Sequence, residues 1–228
     1  MSLRVVAIDG AAGSGKSTLA RLLADALQLP YVNTGSMYRA LTLAARRRGV
    51  DVEDGSALLG LMGTLRFTLS PGPEGKLLID GGSPSDELET ADVETHVSAV
   101  AKHPPVRTAM RLAQRALGQG GAVMEGRDIG TVVFPDAPVK IYLVAEPEDR
   151  AGRRVEERGA TAVARALHER DRRDAQVNPF VPARDAVVID TSDLDVDATL
   201  RVALKVVAER SPDLLPSGSH EEPEGRRP

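Results

Sequence analysis

Residues 5–27 read VVAIDGAAGSGKSTLARLLADAL: an apolar run, a glycine-rich bend and an amphipathic stretch. The run over 3–9 is short, continuous and rich in β-branched residues, which predicts a buried strand. Past the bend, Leu19, Leu22, Leu23, Ala26 and Leu27 recur at helical spacing, which predicts a helix over 17–27. Between them, Gly10-Ala11-Ala12-Gly13-Ser14-Gly15-Lys16-Ser17 meets every fixed position of G-x-x-x-x-G-K-[ST]. A strand that bends through glycines into a helix turns successive N–H groups inward, and the helix N-terminus adds partial positive charge. The glycines let backbone approach phosphate without a side chain in the way. Lys16 is spaced to reach the β- and γ-phosphate oxygens, and Ser17 offers a hydroxyl to a nucleotide-borne Mg²⁺. Residues 10–17, with Thr18 following, are the candidate ATP-binding residues. The motif identifies a nucleoside triphosphate donor and is silent about the acceptor.

Composition narrows the setting. Aromatic residues make up 3% of the 228 and Trp is absent, so the core has to be aliphatic. A net charge of -4 gives no reason to expect nucleic acid or an acidic membrane as partner. With no Cys there is no disulfide and no thiolate metal site. No apolar run approaches the ~20 residues that cross a bilayer. The opening MSLRVVAIDG runs straight into a strand without a signal-peptide core. The expectation is a soluble, cytoplasmic monomer.

Further along, PYVNTGSMYRA predicts a short strand, a turn at 33–35 and a helix through Arg48 that Gly49 stops. GSALLGLMGTL predicts a short helix. LRFTLS and KLLIDG, over 65–70 and 76–81, alternate apolar and polar residues around PGPEG, which is a hairpin signal. The region of about 64–101 therefore reads as a small insert. DVETHVSAVAKHPPVRTAMRLAQRAL predicts two helices with a Pro-Pro break between them. Continuous apolar runs at 121–128, 139–145 and 185–192 predict buried strands, with helices between and after them. That order makes the fold class α/β, a parallel sheet covered by helices on both faces. The chain divides into a core over 1–211 and a Pro-, Gly- and charge-rich tail over 212–228 that reads as disordered.

The arginines point to an anionic acceptor. Arg39 follows the second strand, Arg107 follows Pro104-Pro105, and Arg127 sits at the end of a predicted strand, where open α/β sheets place ligands. Arg150, Arg154 and Arg158 are spaced by four on one helix face. They either serve phosphate or pair with Glu146, Glu156 and Glu157 on a solvated face. Arg170, Arg172 and Arg173 follow. Guanidinium grips phosphate bidentately, and phosphoryl transfer asks mostly for positioning and positive charge. Arg46, Arg47 and Arg48 read as a solvated helix end, and His103 beside Pro104 as a turn residue. There is no Asn-Lys-x-Asp base reader of a GTPase and no Gly-Phe-Pro-Arg segment of an adenylate kinase.

IDGAAGSGKST (8–18), NTGSMYRA (33–40) and EGRDIGTVVFPDAPVKIYL (125–143) together resemble the bacterial-type cytidylate kinases, which phosphorylate CMP and dCMP with ATP. HVSAVAKHPPVR and HERDRRD add weaker support, and the resemblance covers about residues 3–208. It implies a P-loop nucleoside monophosphate kinase core, an acceptor-binding insert with a small antiparallel sheet, and a short lid at about 150–175. By that resemblance Arg39 and Arg127 hold the CMP phosphate, Ser98, Arg107 and Asp128 read cytosine, and Thr34 lines the same pocket. Arg170 and Asp174 touch the pentose. Lys16, Arg127, Arg154 and Arg158 become the catalytic set, with the arginine stripe in the lid. Mg²⁺ arrives with ATP, held by Ser17 and, through water, by Glu125, where the family commonly has aspartate. The pattern breaks after Asp174, where the family usually carries an arginine three residues on. This chain has Gln176 in a stretch about two residues short. Two other readings stay open at this point: a P-loop kinase for another small acceptor, and a nucleotide-binding regulator without catalysis.

Overall fold

A computed structural model of the protein describes residues 3–72, 75–146 and 181–216. In chain order its strands are β1 (Val5–Gly10), β2 (Tyr31–Asn33), β3 (Phe67–Leu69), β4 (Leu77–Ile79), β5 (Ala122–Gly126), β6 (Val139–Val144) and β7 (Val187–Asp190). Five of them form a parallel sheet in the order β2-β5-β1-β6-β7, and β3 and β4 make a separate antiparallel pair. The helices are α1 (Lys16–Leu27), α2 (Thr34–Arg48), α3 (Gly55–Met62), α4 (Ala91–Ala101), α5 (Pro104–Gly118) and α6 (Val196–Arg210). The predicted α/β class is thus observed.

The continuous apolar run of β1 has a simple cause: both faces of the central strand are covered. Val5 and Ala7 point into one core with Met37, Leu41, Leu58 and Met110, beneath α2, α3 and α5. Val6 and Ile8 point into a second core with Leu19, Leu23, Ile141 and Val207, beneath α1 and α6. A strand half-exposed to water would have alternated instead.

Register then levels the strand ends that matter. Ile8 lies beside Glu125, Asp9 beside Gly126, and Asn33 beside Glu125. The C-terminal ends of β1, β2 and β5 therefore open side by side, where parallel α/β sheets bind ligands.

Local chemistry explains most boundaries. Pro104 and Pro105 fill the first positions of α5, where a missing N–H costs no helical bond. Gly49 ends α2 in the left-handed conformation at φ 65°. The 33–35 segment departs from its predicted turn. Asn33 is the N-cap of α2, its side chain accepting from the Ser36 N–H at 3.0 Å, so the helix starts at once. No helix of ordinary length lies between β5 and β6; a single π turn, Ile129–Val133, occupies that place. The Asp9 carboxylate takes the N–H groups of Ile129 and Gly130, at 2.8 Å each, which a regular helix would have left at its own terminus.

Arg46, Arg47 and Arg48 are exposed, as read from the sequence, yet they have partners. Arg46 grips Asp92 through two bonds at 2.9 and 3.1 Å, Arg47 pairs with Glu87, and Arg48 donates to Thr64. The partners come from residues 64–92, too far along the chain for spacing to reveal. The β3–β4 hairpin leans on the sheet edge: Tyr31 donates its backbone N–H to the Gly75 carbonyl at 3.1 Å. His103 is structural; its Nε2 lies 2.9 Å from the Val52 carbonyl, and its ring fills the space above Gly55. The predicted lid at 150–175, with Arg150, Arg154, Arg158, Arg170, Arg172, Arg173 and Asp174, lies outside the described residues, as do Gln176 and most of the predicted tail. No helix among the described residues is long and apolar enough to cross a membrane.

Candidate active site

The loop after β1 has the geometry its glycines predict. Gly15, at φ 87°, turns the chain left-handed just before α1, whose first turn has no side-chain cap. The N-terminus of a helix is where backbone N–H groups and the helix dipole favour an anion. Gly10 cannot be anything larger, because a Cβ there would sit 2.4 Å from the Leu143 carbonyl oxygen. Lys16 is nearly buried and curls back so that Nζ donates to the Ala11 carbonyl at 2.5 Å.

Beside this loop stands Glu125, 4% exposed. Its carboxylate accepts from the Ser17 hydroxyl at 2.9 Å and from the Tyr31 hydroxyl at 2.5 Å. Burial, reinforced by the Glu125 charge, pushes the Tyr31 hydroxyl well above its ordinary range, so it stays a donor. Thr34 donates to the Glu125 backbone carbonyl at 2.7 Å. The Ser17 hydroxyl and the Glu125 carboxylate form a hard-oxygen pair. Mg²⁺ is usually held by one or two such groups together with substrate phosphates.

Asp9 ties the loop strand to the segment that follows β5. Burial is the main cause that pushes its carboxyl up to about 6, opposed by the two N–H bonds it accepts. The folded state therefore binds this proton more tightly than the unfolded chain does. Any stability linked to it is fully present below about pH 4 and is lost as pH rises through 6. Relative to an Asp9→Asn variant, wild type is expected to lose on the order of 3 kcal/mol between pH 4 and pH 7. Urea unfolding of both proteins across that range checks the slope; parallel curves would refute it.

Among the described residues, the other predicted acceptor-site positions converge on one cleft. Thr34, Arg39, Ser98, Arg107, Arg127 and Asp128 line it, facing Ala12, Gly13, Lys16 and Ser17. Arg39 lies 3.8 Å from Glu94 of α4, and Arg127 donates to the Gly10 carbonyl at 2.7 Å. The Gly10 and Ala11 carbonyls thus accept from Arg127 and Lys16 respectively. Ser14, Gly15 and Thr18 face an adjoining groove bounded by Arg21, Thr191, Leu194 and Asp195.

Several residues of the site escape sequence reasoning. The Thr191–Asp195 wall of that groove carries no motif. Tyr31 reaches Glu125 with no signal in its spacing. Arg111, whose Nη2 donates to Asp128 at 3.0 Å, was open to discovery, because it follows Arg107 by one helical turn.

The family model described as cytidylate kinase matches residues 6–209. A cytidylate kinase of Anoxybacillus flavithermus is 46% identical over 216 residues, covering 90% of this chain and 96% of the relative. One from Rhodococcus jostii is 43% identical over 219 residues, covering 91% and 96%. A bifunctional pantoate ligase/cytidylate kinase of Synechococcus is 41% identical over 219 residues, covering 90% of this chain and 45% of the longer relative. Among solved structures, an uncharacterized protein from Eubacterium ventriosum shares the fold at 16% identity, with a TM-score of 0.51 over 92% of this chain and all of that one. A nucleotide-cradling loop that opens onto an arginine-lined cleft, and a family match spanning both, lead to one conclusion: the chain belongs to the cytidylate kinase family.

Proposed function

We propose that this chain moves the γ-phosphoryl group of ATP onto the phosphate of CMP or dCMP, giving ADP and CDP or dCDP. One observation carries the reading: the loop residues Lys16 and Ser17 share a single cleft with Arg39, Arg107, Arg127 and Asp128. A donor triphosphate and an anionic acceptor can therefore meet end to end. The acceptor phosphate is already nucleophilic, so in-line transfer needs no general base. A bond forms from an acceptor phosphate oxygen to the γ-phosphorus as the β–γ bridging bond breaks.

The loop N–H groups and Lys16 hold the donor phosphates, and the groove beside Thr191 and Leu194 takes its nucleoside. Arg39 and Arg127 hold the acceptor phosphate. Ser98 and Arg107 donate to the N3 and O2 acceptors of cytosine, while Asp128 accepts from its N4 amino group. Uracil has a carbonyl at that position and would face the carboxylate acceptor to acceptor. Ser17 and Glu125, the latter through water, would hold Mg²⁺, which supplies charge neutralisation at the β- and γ-phosphates. Arg170 and Asp174 reach the pentose, and Arg154 and Arg158 act from a lid at about 150–175. That lid and the insert at about 64–101 close to keep water from the donor. The protein works as a cytoplasmic monomer.

An assay of ADP release with ATP–Mg²⁺ and each monophosphate in turn tests the reading. CMP and dCMP are expected to be the preferred acceptors, ahead of UMP, with AMP and GMP inert. Preference for another acceptor would overturn the substrate, and ATP binding without ADP release for any acceptor would overturn the catalysis.

A further inference from the structure

Asp128 has a partner that the reaction as described does not use. Arg111 Nη2 donates to Asp128 Oδ2 at 3.0 Å, and the two side chains are only 26% and 20% exposed. Surface pairs of this protein differ: Arg46 and Asp92 are 46% and 50% exposed. Shielding from solvent makes a charged hydrogen bond a firmer restraint. Both ends are mounted on fixed backbone. Arg111 projects from α5, which the fully buried Val106 and Met110 anchor to the core. The Asp128 carbonyl accepts from the N–H groups of Val132 and Val133 at 2.9 and 3.1 Å. With its backbone held, the main freedom left to Asp128 is rotation of its own carboxylate. Arg111 removes that freedom.

We propose that Arg111 is a positioning residue for base selection: by holding Oδ2, it leaves Oδ1 presented to the cleft as the acceptor for an amino group on the acceptor base. The inference rests on the reading that Asp128 recognises cytosine. Arg111 itself does not line the cleft, whereas Arg107, one turn earlier on α5, does. The charges of Asp128, Arg111 and Arg107 all act on the hydroxyl of Tyr38, which does line it, so the four side chains form one cluster at the base end of the site. A rotating carboxylate still carries its charge but offers N4 no fixed lone pair. Loss of Arg111 therefore falls on CMP, which needs that lone pair, and spares UMP, which gains nothing from it.

The test compares Arg111→Met, Arg111→Lys, Asp128→Asn and the double variant Arg111→Met/Asp128→Asn, with CMP and with UMP at saturating ATP. Arg111→Met is expected to lower kcat/KM for CMP roughly tenfold, the scale of one charged hydrogen bond. UMP turnover should change by less than about twofold and the KM for ATP should hold. Arg111→Lys should recover part of the loss, and Arg111→Met should add nothing once Asp128 is Asn. If Asp128→Asn collapses the CMP/UMP ratio while Arg111→Met lowers both substrates equally or neither, Arg111 is structural and the inference fails. If Asp128→Asn leaves the ratio intact, the base-reading role of Asp128 fails, and this inference with it.

Discussion

Replacing Lys16 with Met is expected to lower kcat by roughly 10²–10³-fold, the scale seen when one preorganised donor to transition-state charge is removed. Methionine keeps an unbranched stem of similar bulk, so what disappears is the ammonium. In the structure that ammonium rests on the Ala11 carbonyl at 2.5 Å, inside the loop that would wrap the phosphates. A carbonyl is a weaker partner than a phosphate oxygen, so a bound triphosphate can draw Nζ off it. Charge on the migrating group spreads over its equatorial oxygens as the bond breaks, and Lys16 has most to give at that moment. The loss should appear in kcat more than in the KM for CMP. Lys16→Arg should not restore it, since a planar fork does not fit a space shaped for a compact ammonium. Steady-state kinetics and a thermal melt check this. Near-normal turnover in a folded Lys16→Met protein would remove the loop from the chemistry.

Arg127→Met should cut kcat/KM for CMP by a similar factor, roughly 10²–10³-fold, while leaving ATP affinity nearly unchanged. On the proposed reading, Arg127 stands between the two substrates. Its own backbone follows β5, and its guanidinium reaches across to the Gly10 carbonyl at 2.7 Å, at the root of the phosphate loop. An acceptor phosphate gripped there is held in line with the donor, so the residue contributes alignment as well as charge. Titration calorimetry with ATP and kinetics with varied CMP separate the two substrates. A variant that lost ATP binding instead would show that Arg127 belongs to the donor side.

The two residues differ in how they became legible. Lys16 is fixed by a contiguous motif in which bend, glycines and helix start are all local, and the structure reproduces it without adjustment. Arg39, Arg107, Arg127 and Asp128 were assigned through resemblance, since nothing in their spacing makes them meet. The sheet register brings them together, setting Asn33, Glu125 and Ile8 level and opening the strand ends onto one cleft. Two elements depart from their sequence reading, each for its own reason. Asn33 looked like a turn residue because asparagine favours turns and helix caps alike. Where a helix was expected between β5 and β6 there is a single π turn, whose first two N–H groups go to the Asp9 carboxylate, about 120 residues earlier in the chain.

By itself the sequence determined the strand–loop–helix that cradles a triphosphate, the doubly covered parallel sheet and the hairpin near residue 70. Each of these is written in neighbouring residues, as periodicity, glycine placement or a continuous apolar run. Only the tertiary structure decided that Tyr31 and Ser17 share the Glu125 carboxylate, that Asp9 anchors the segment after β5, and that Arg111 restrains Asp128. Those contacts join groups from separate elements. Their partners are selected by packing and by the need of buried polar atoms for hydrogen bonds, and no fixed interval along the chain encodes that choice.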